Sequence, residues 1–561
     1  MKKQKDSATL RWIWSVSGAA KKWTFALTAV RILQAGISVA HAYVLGAVVD
    51  CAAQGLGSGF WRQVCLFAAL ALLAVLLQAA GRWLGEKSRA SLETAFRLRL
   101  FSQLMCRDYA QITRTHTGEW MNRITSDANV VAGGMAQILP ELTGALVRMA
   151  GALAALLSIL PQLTLVLLPG GACLILISWF MRRWLKKYHK QAQQADGSTR
   201  SFMQERLYSL LVVRSFTQES ATVQQAQDML DEYVAARMRR QRFANLCSMG
   251  LGGAIHAAQV LGVGLCGWGI LNGSLTFGTM STVLHLISMV SSPVTGITAY
   301  VSQFYSMLAS AERLQEAEDY PVDTAAAPVP AQEIHRYYAA EFAAFGLDNA
   351  CFAYEEDVEN VLQGFDLWVN KGEFVAFTGE SGCGKSTALK VLLDLYPLQA
   401  GTAWLQDADG SRRVLDAAWR GLFAYVPQGH QLISGTVRET LTFGDPALMQ
   451  QEDALQQALR IACAEFVNEL PEGLDTLLGE RGSGLSEGQM QRISIARAVL
   501  SQRPVLFLDE ATSALDPATE QMLLQNLRSM TDRTVLIITH RPAVLDFCDK
   551  HIHFEKKSTA D

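Results

Sequence analysis

Through the first three hundred positions, apolar residues gather in long uninterrupted runs and polar residues collect in separate stretches between them. A surface helix of a soluble domain alternates its faces every three or four residues, and these runs do not. They read instead as membrane spans, for which about 20 apolar residues cross the hydrocarbon. Six helices are predicted, over residues 23–49, 63–83, 136–160, 162–184, 245–271 and 275–307, with breaks at Leu160-Pro161-Gln162 and Asn272-Gly273-Ser274. Arg31 lies close enough to the start of the first to snorkel. Two polar stretches, Arg82 to about Asn129 and Arg182 to Arg242, read as the same helices continued into water. Their excess of Lys and Arg marks them as cytoplasmic and puts both termini on that side.

After Glu312-Arg313 the pattern changes. A Pro/Ala stretch from Pro321 to Pro330 reads as a semi-rigid linker. From Glu341 the order becomes strand, glycine loop, helix, as in an α/β domain. The boundaries predicted are a transmembrane domain over 1–318, a linker over 319–340 and a nucleotide-binding domain over 341–561. The fold class is a multidomain membrane protein, an all-α six-helix transmembrane domain followed by an α/β P-loop ATPase domain.

Charge sharpens the division, because residues 1–320 carry 30 Lys+Arg against 18 Asp+Glu and the remainder 19 against 34. A basic half suits nucleic acid, but this charge is interleaved with apolar runs and suits loops at a membrane surface, so no nucleic-acid partner is expected. The polar, basic stretch Met1–Lys22 lacks a small-residue cleavage site and does not read as a removed signal peptide. Ten cysteines without a CxxC pair point to reduced thiols, not to a disulfide framework or zinc site.

The chemistry sits in the second half. The apolar strand Phe374–Thr378 runs into Gly379-Glu380-Ser381-Gly382-Cys383-Gly384-Lys385-Ser386-Thr387 and then a helical pattern, which is the strand-to-helix context of a phosphate loop. Such a loop wraps its N–H groups around phosphates; Lys385 reaches the β- and γ-phosphates and Ser386 can ligate Mg²⁺. Pro504-Val-Leu-Phe-Leu-Asp509-Glu510 is a buried strand ending in two acids. An isolated pair of that kind is ordinarily a solvated turn. Beside a phosphate loop, Asp509 becomes a Mg²⁺ ligand through water and Glu510 the general base for the attacking water.

Leu485-Ser486-Glu487-Gly488-Gln489, followed by Gln491-Arg492, resembles the signature motif of ATP-binding cassette (ABC) ATPases. The other motifs stand in the same order. Tyr354 resembles the aromatic residue on which adenine stacks, and Gln428 in Val426-Pro427-Gln428 the glutamine that senses Mg²⁺ and the membrane domain. Ser513-Ala514-Leu515-Asp516 resembles the D-loop, and His540 the switch histidine that contacts the γ-phosphate. Six spans with two cytoplasmic extensions before one ATPase domain resemble an exporter-type half-transporter. Ala309-Ser310-Ala311-Glu312-Arg313 looks like the segment leaving the sixth helix, and Gly479-Glu480-Arg481-Gly482 like the stretch facing the membrane domains.

The resemblance implies ATP and Mg²⁺ as cofactors. It assigns Glu510, His540 and Gln428 to catalysis, residues 379–387 with Tyr354 to the nucleotide, and Ser386, Gln428 and Asp509 to the metal. Ser486, Gly488, Gln489 and Asp516 then close an ATP held by a second half-transporter, in a homodimer or a heterodimer. The function implied is ATP-driven export of an unidentified small molecule, lipid or peptide by alternating access; the alternative is an importer on the same fold, as in siderophore uptake. The setting implied is a bacterial cytoplasmic membrane. Glu487 stands where the commonest signature has Gly, and either weakens the facing site or points away. Within the spans, Gln34, His41, Glu141, Arg148, His256, Gln259 and His285 face a cavity or one another; each histidine reads first as a packed, hydrogen-bonded side chain, and Glu141 and Arg148, seven apart on one helical face, either contact partner charges or snorkel.

Overall fold

A computed structural model of the chain describes residues 2–323, 328–354, 360–429, 432–479, 484–530 and 533–555. It divides into two compact units, one of Met1–Met105 with Thr117–Asp319 and one of Cys106–His116 with Tyr320–Asp561.

The first unit is helical. After a helix over Lys2–Val16 come six long ones: α1 Lys21–Ala53, α2 Gly57–Cys106, α3 Ala128–Ile159, α4 Pro161–Tyr208, α5 Glu219–Leu271 and α6 Phe277–Asp319. The predicted spans overlap these helices, 136–160 ending one residue past α3 and 275–307 beginning two residues before α6. The helices run on beyond the spans: 48 residues in α4 and 53 in α5 reach about 70–80 Å at ~1.5 Å per residue, over twice the ~30 Å hydrocarbon. Among the described residues, the segments containing α1, α2, α3 and α5 are long and apolar enough to cross a membrane, and α6 contributes the shorter apolar stretch Phe277–Val290.

Water cannot drive helices together in lipid, so small residues and polar contacts do the work. A Cβ on Gly46 of α1 would fall 2.8 Å from the carbonyl of Gly278 in α6 and 2.1 Å from Thr282 Oγ1, so only glycine permits that approach. One turn away Asp50 accepts from Gly278 N at 2.7 Å and Thr276 Oγ1 at 2.8 Å, capping the start of α6. Toward the other end of α6, Arg313 Nε (2.8 Å) and Ser310 Oγ (2.9 Å) hold the buried carboxylate of Asp127.

The second unit has an antiparallel sheet and a parallel one. The strands of these two sheets are β1 Phe342–Phe352, β2 Leu362–Asn370, β3 Phe374–Gly379, β4 Ala400–Asp407, β5 Arg412–Val414, β6 Phe423–Val426, β7 Val505–Asp509, β8 Thr534–Ile538 and β9 Lys550–Phe554, and the short pair Gly435–Thr436 with Leu477–Leu478 forms a third. The antiparallel sheet has the order β2-β1-β4-β5, and the parallel sheet β9-β3-β8-β7-β6. β7 and β8 are buried at every position, as expected of parallel strands covered on both faces.

Two segments fall elsewhere than the predicted boundaries. Residues 331–340, within the predicted linker, form helix α7 (Ala331–Ala340), whose Ile334, Tyr337 and Tyr338 are buried in the core around β1 and β4. Those positions are spaced i, i+3, i+4, one apolar face of a helix, beside prolines that dominate the composition. Residues 106–116, within the predicted transmembrane domain, cluster with the second unit. Arg107 bridges Val322, Asp108 N donates to Pro321 O at 3.1 Å, and Asp323 N donates to Cys106 O at 3.0 Å.

Candidate functional site

The parallel sheet delivers β3 and β7 side by side with β8, so the loops after their C-terminal ends converge. After β3 the chain turns through Gly379, Gly382 and Gly384 at φ +134°, +83° and +100°, a region open to glycine. It then enters α8, Lys385–Leu392. At Gly384 a Cβ would also lie 3.0 Å from Val361 O. Lys385 is only 5% exposed, and its Nζ donates to Gly379 O at 2.8 Å and Glu380 O at 2.7 Å. Those carbonyls are weak partners for a buried ammonium, and a phosphate oxygen in the loop competes with them favourably.

Asp509, at the end of β7, is 1% exposed. It accepts from Ser386 Oγ at 2.8 Å and Tyr425 OH at 2.9 Å. Burial pushes its carboxyl above the usual range while the two hydrogen bonds and Lys390 pull it down. Tyr425 is buried beside this acid, and its phenol is held far above its ordinary value. The next residue, Glu510, has φ +51°. That left-handed turn is costly for a side chain of this size. Gln428 Nε2 donates to Glu510 Oε2 at 2.7 Å, and His540 Nε2 stands 3.7 Å from Oε1. A cavity of about 450 Å³ opens here, lined by Thr378, Gly379, Glu380, Thr539, His540 and His553.

Tyr354 is 41% exposed, with its hydroxyl 3.0 Å from Thr387 Oγ1. Its ring packs edge-on against Phe352 and Tyr396, and Tyr396 in turn meets Tyr109 edge-on at 5.7 Å. Ser381 is exposed in the loop and Cys383 is buried beneath it.

The remaining predicted residues stand apart. Ser486 caps helix α9 (Glu487–Leu500) in a reciprocal box with Gln489. Glu487, exposed in its first turn, is where an anion suits the helix dipole. Gly488 packs where a Cβ would lie 2.8 Å from Ala514 O. Asp516 caps helix α10 (Pro517–Arg528) through Thr519 N at 3.0 Å. Among the described residues, no hydrogen bond or ion pair joins Ser486, Gly488, Gln489 or Asp516 to loop 379–387. Residues next to them are tied together: Gln491 Nε2 donates to Ser513 Oγ at 3.0 Å, and Arg541 donates to the carbonyls of Ser513 at 2.7 Å and Leu515 at 2.9 Å. Residues 480–482 of the Gly479–Gly482 stretch lie outside the described residues.

The structure adds positions that the motifs alone do not mark. Tyr425 is the second fixed donor to Asp509, and a tyrosine inside a short apolar strand three residues before Gln428 is its only signal. Tyr396 supports Tyr354 and Arg541 anchors residues 513–515; each depends on tertiary contact, although Arg541 adjoins His540.

The chain matches the model of the ABC transporter transmembrane region over residues 24–294 and that of the ABC transporter over 362–513. It is 30% identical over 519 residues to mouse ATP-binding cassette sub-family B member 10, mitochondrial, covering 90% of this chain and 71% of that protein. It is 29% identical to YgaD of Bacillus subtilis strain 168, whose name assigns it to multidrug export as an ATP-binding/permease protein, over 95% of this chain and 92% of that one. A bacterial Atm1-family ABC exporter, solved with ATP bound, shares the fold with a TM-score of 0.79 at 20% identity, over 96% of this chain and 94% of that chain.

Proposed function

The chain belongs to the ABC transporters as an exporter-type half-transporter, with transmembrane region and ATPase domain in one polypeptide, and we propose how its residues divide the work. It is an integral membrane protein that binds ATP and couples its hydrolysis to export. A half-transporter works as a dimer.

In the proposed division, Tyr354 stacks on adenine, the N–H groups of residues 380–387 cradle the phosphates, and Lys385 exchanges its loop carbonyls for β- and γ-phosphate oxygens. The Ser386 hydroxyl and the Asp509 carboxylate share a hydrogen bond and are hard oxygen ligands, a set that fits Mg²⁺, and the Gln428 amide oxygen is the third ligand proposed. Bound there, Mg²⁺ neutralises charge on the phosphates. Glu510 takes the proton of the attacking water, oriented by the Gln428 amide, while His540 contacts the γ-phosphate. Ser486, Gly488, Gln489 and Asp516 close an ATP held by the other half-transporter, a copy or a different chain. Closure of the two cassettes biases the membrane helices outward, and hydrolysis resets them. The membrane proposed is a bacterial cytoplasmic one, supported by the basic polar extensions.

The observation that carries this reading is Glu510 held by Gln428 one residue beyond the Asp509–Ser386 pair. In lipid nanodiscs, Glu510→Gln lowers ATP turnover by about 10²–10⁴-fold while ATP binding is retained. A fall of less than about tenfold removes Glu510 from the role of base.

A further inference from the structure

The membrane unit holds its own cavity, about 350 Å³, whose polar lining is Ser38 and His41 of α1, Arg148 of α3, and His285 and Ser288 of α6. An ionised group at that depth is tolerated when something neutralises it. Glu141, two turns before Arg148 on α3, is already taken: Arg31 Nη2 stands 2.6 Å from its Oε1, and Arg31 also donates to Gln34 Oε1 at 3.0 Å. Asp50 is engaged by Gly278 N and Thr276. Arg148 has no carboxylate partner among the described residues, and its Nε is buried without an acceptor.

The rest of the lining supplies two imidazoles and no acid. The His41 ring lies against Phe67 at 4.2 Å and 6.2 Å from the ring of His285. The Ser38 and Ser288 hydroxyls are anchored to the carbonyls of Gln34 (2.8 Å) and Leu284 (3.1 Å). Behind Ser288 stands Gln259 Nε2 at 3.5 Å, its Oε1 3.0 Å from His256 Nδ1. Apolar walls such as Met289 complete the cavity. A planar guanidinium beside two imidazoles in an apolar surround is complementary to one oxyanion carried on an apolar body.

We propose that this cavity binds the oxyanion group of an amphipathic organic anion, with Arg148 as its counter-ion, and that such an anion is the exported substrate; this rests on the export reading above. The same chemistry is offered by a free organic acid and by an anionic lipid headgroup.

The test uses the full chain in nanodiscs of zwitterionic lipid and measures equilibrium binding of radiolabelled 2-naphthoate, its methyl ester and a naphthylmethyl-trimethylammonium cation. Wild type is expected to bind naphthoate at least tenfold more tightly than the ester or the cation. Arg148→Gln is expected to lose at least tenfold, and Arg148→Lys, which keeps the charge without the fork, to fall between them. Size exclusion shows whether each variant remains a folded assembly. In nanodiscs containing phosphatidylglycerol, Arg148-dependent competition against naphthoate supports the site and puts its oxyanion on a lipid. Equal binding of naphthoate and ester, or unchanged naphthoate binding in Arg148→Gln, overturns the proposal. So does a carboxylate of the second half-transporter satisfying Arg148, seen as an Arg148→Gln chain that dissociates and a wild type that binds no naphthoate. A wild-type chain that hydrolyses ATP yet ignores naphthoate sinks the anion site alone, whereas one without ATP turnover sinks the export reading.

Discussion

Asp509 shows how a residue proposed to hold Mg²⁺ opposes the stability of its own fold. Burial raises its carboxyl pKa above the ordinary value, so ionisation in the folded state is costly despite the bonds from Ser386 and Tyr425. A raised folded pKa gives stability that is complete below the unfolded pKa and lost as pH rises through the folded one. Asp509→Asn keeps the protonated shape without the charge. Its melting temperature in nanodiscs is expected to exceed wild type at neutral pH, with the gain shrinking as pH falls into the carboxylate range, while ATP turnover is abolished. A lower melting temperature at neutral pH would mean that the Ser386 and Tyr425 bonds outweigh burial. Tyr396 acts more indirectly, by bracing Tyr354 edge-on. Its replacement by Ala is expected to raise KM for ATP about two- to tenfold, the scale of one aromatic pair, with kcat little changed. Lys385, Asp509 and Glu510 are legible in the sequence because their spacing is set by a strand, a loop and a helix start. Tyr425 and Tyr396 are not, because their roles depend on what folds against them.

Among the elements, the α1–α6 crossing has the clearest constraints. Gly46 and Gly278 bring the backbones together, and Asp50 fixes the register by capping α6. Asp50→Ala is expected to cost about 1–2 kcal/mol, the value of a charge-assisted cap. The check is a melting temperature lowered by about 2–8 °C in nanodiscs. An unchanged value would make the Asp50 bonds incidental. The long helices are legible because lipid demands unbroken apolar runs. Helix α7 is obscured by neighbouring prolines, although its Ile334, Tyr337 and Tyr338 follow a helical period. The pairing of residues 106–108 with 320–323 joins segments over 200 positions apart, as in the bond from Arg107 to Tyr320 O. No local pattern encodes it.

For the whole molecule, one chain carries two half-sites, and among the described residues no hydrogen bond or ion pair joins Ser486, Gly488, Gln489 or Asp516 to loop 379–387. Loop 379–387 with Asp509 and Glu510 forms one half; Ser486, Gly488 and Gln489, followed by Gln491, which with Arg541 holds residues 513–515, form the other. The motif order made both halves legible, while their separation within one chain required the fold. In the proposed reading their use is across the dimer, with ATP held by Lys385 of one half-transporter closed by Ser486 of the next. The direct measurement is oxidative cross-linking in a chain whose native cysteines are replaced, with Ser381→Cys on one tagged copy and Ser486→Cys on a differently tagged copy, in the Glu510→Gln background. Composite sites predict a disulfide linking both tags that forms with ATP and is lost when Lys385→Ala is added. Copies that purify together but give no such link with ATP, or give it equally without ATP, would contradict them.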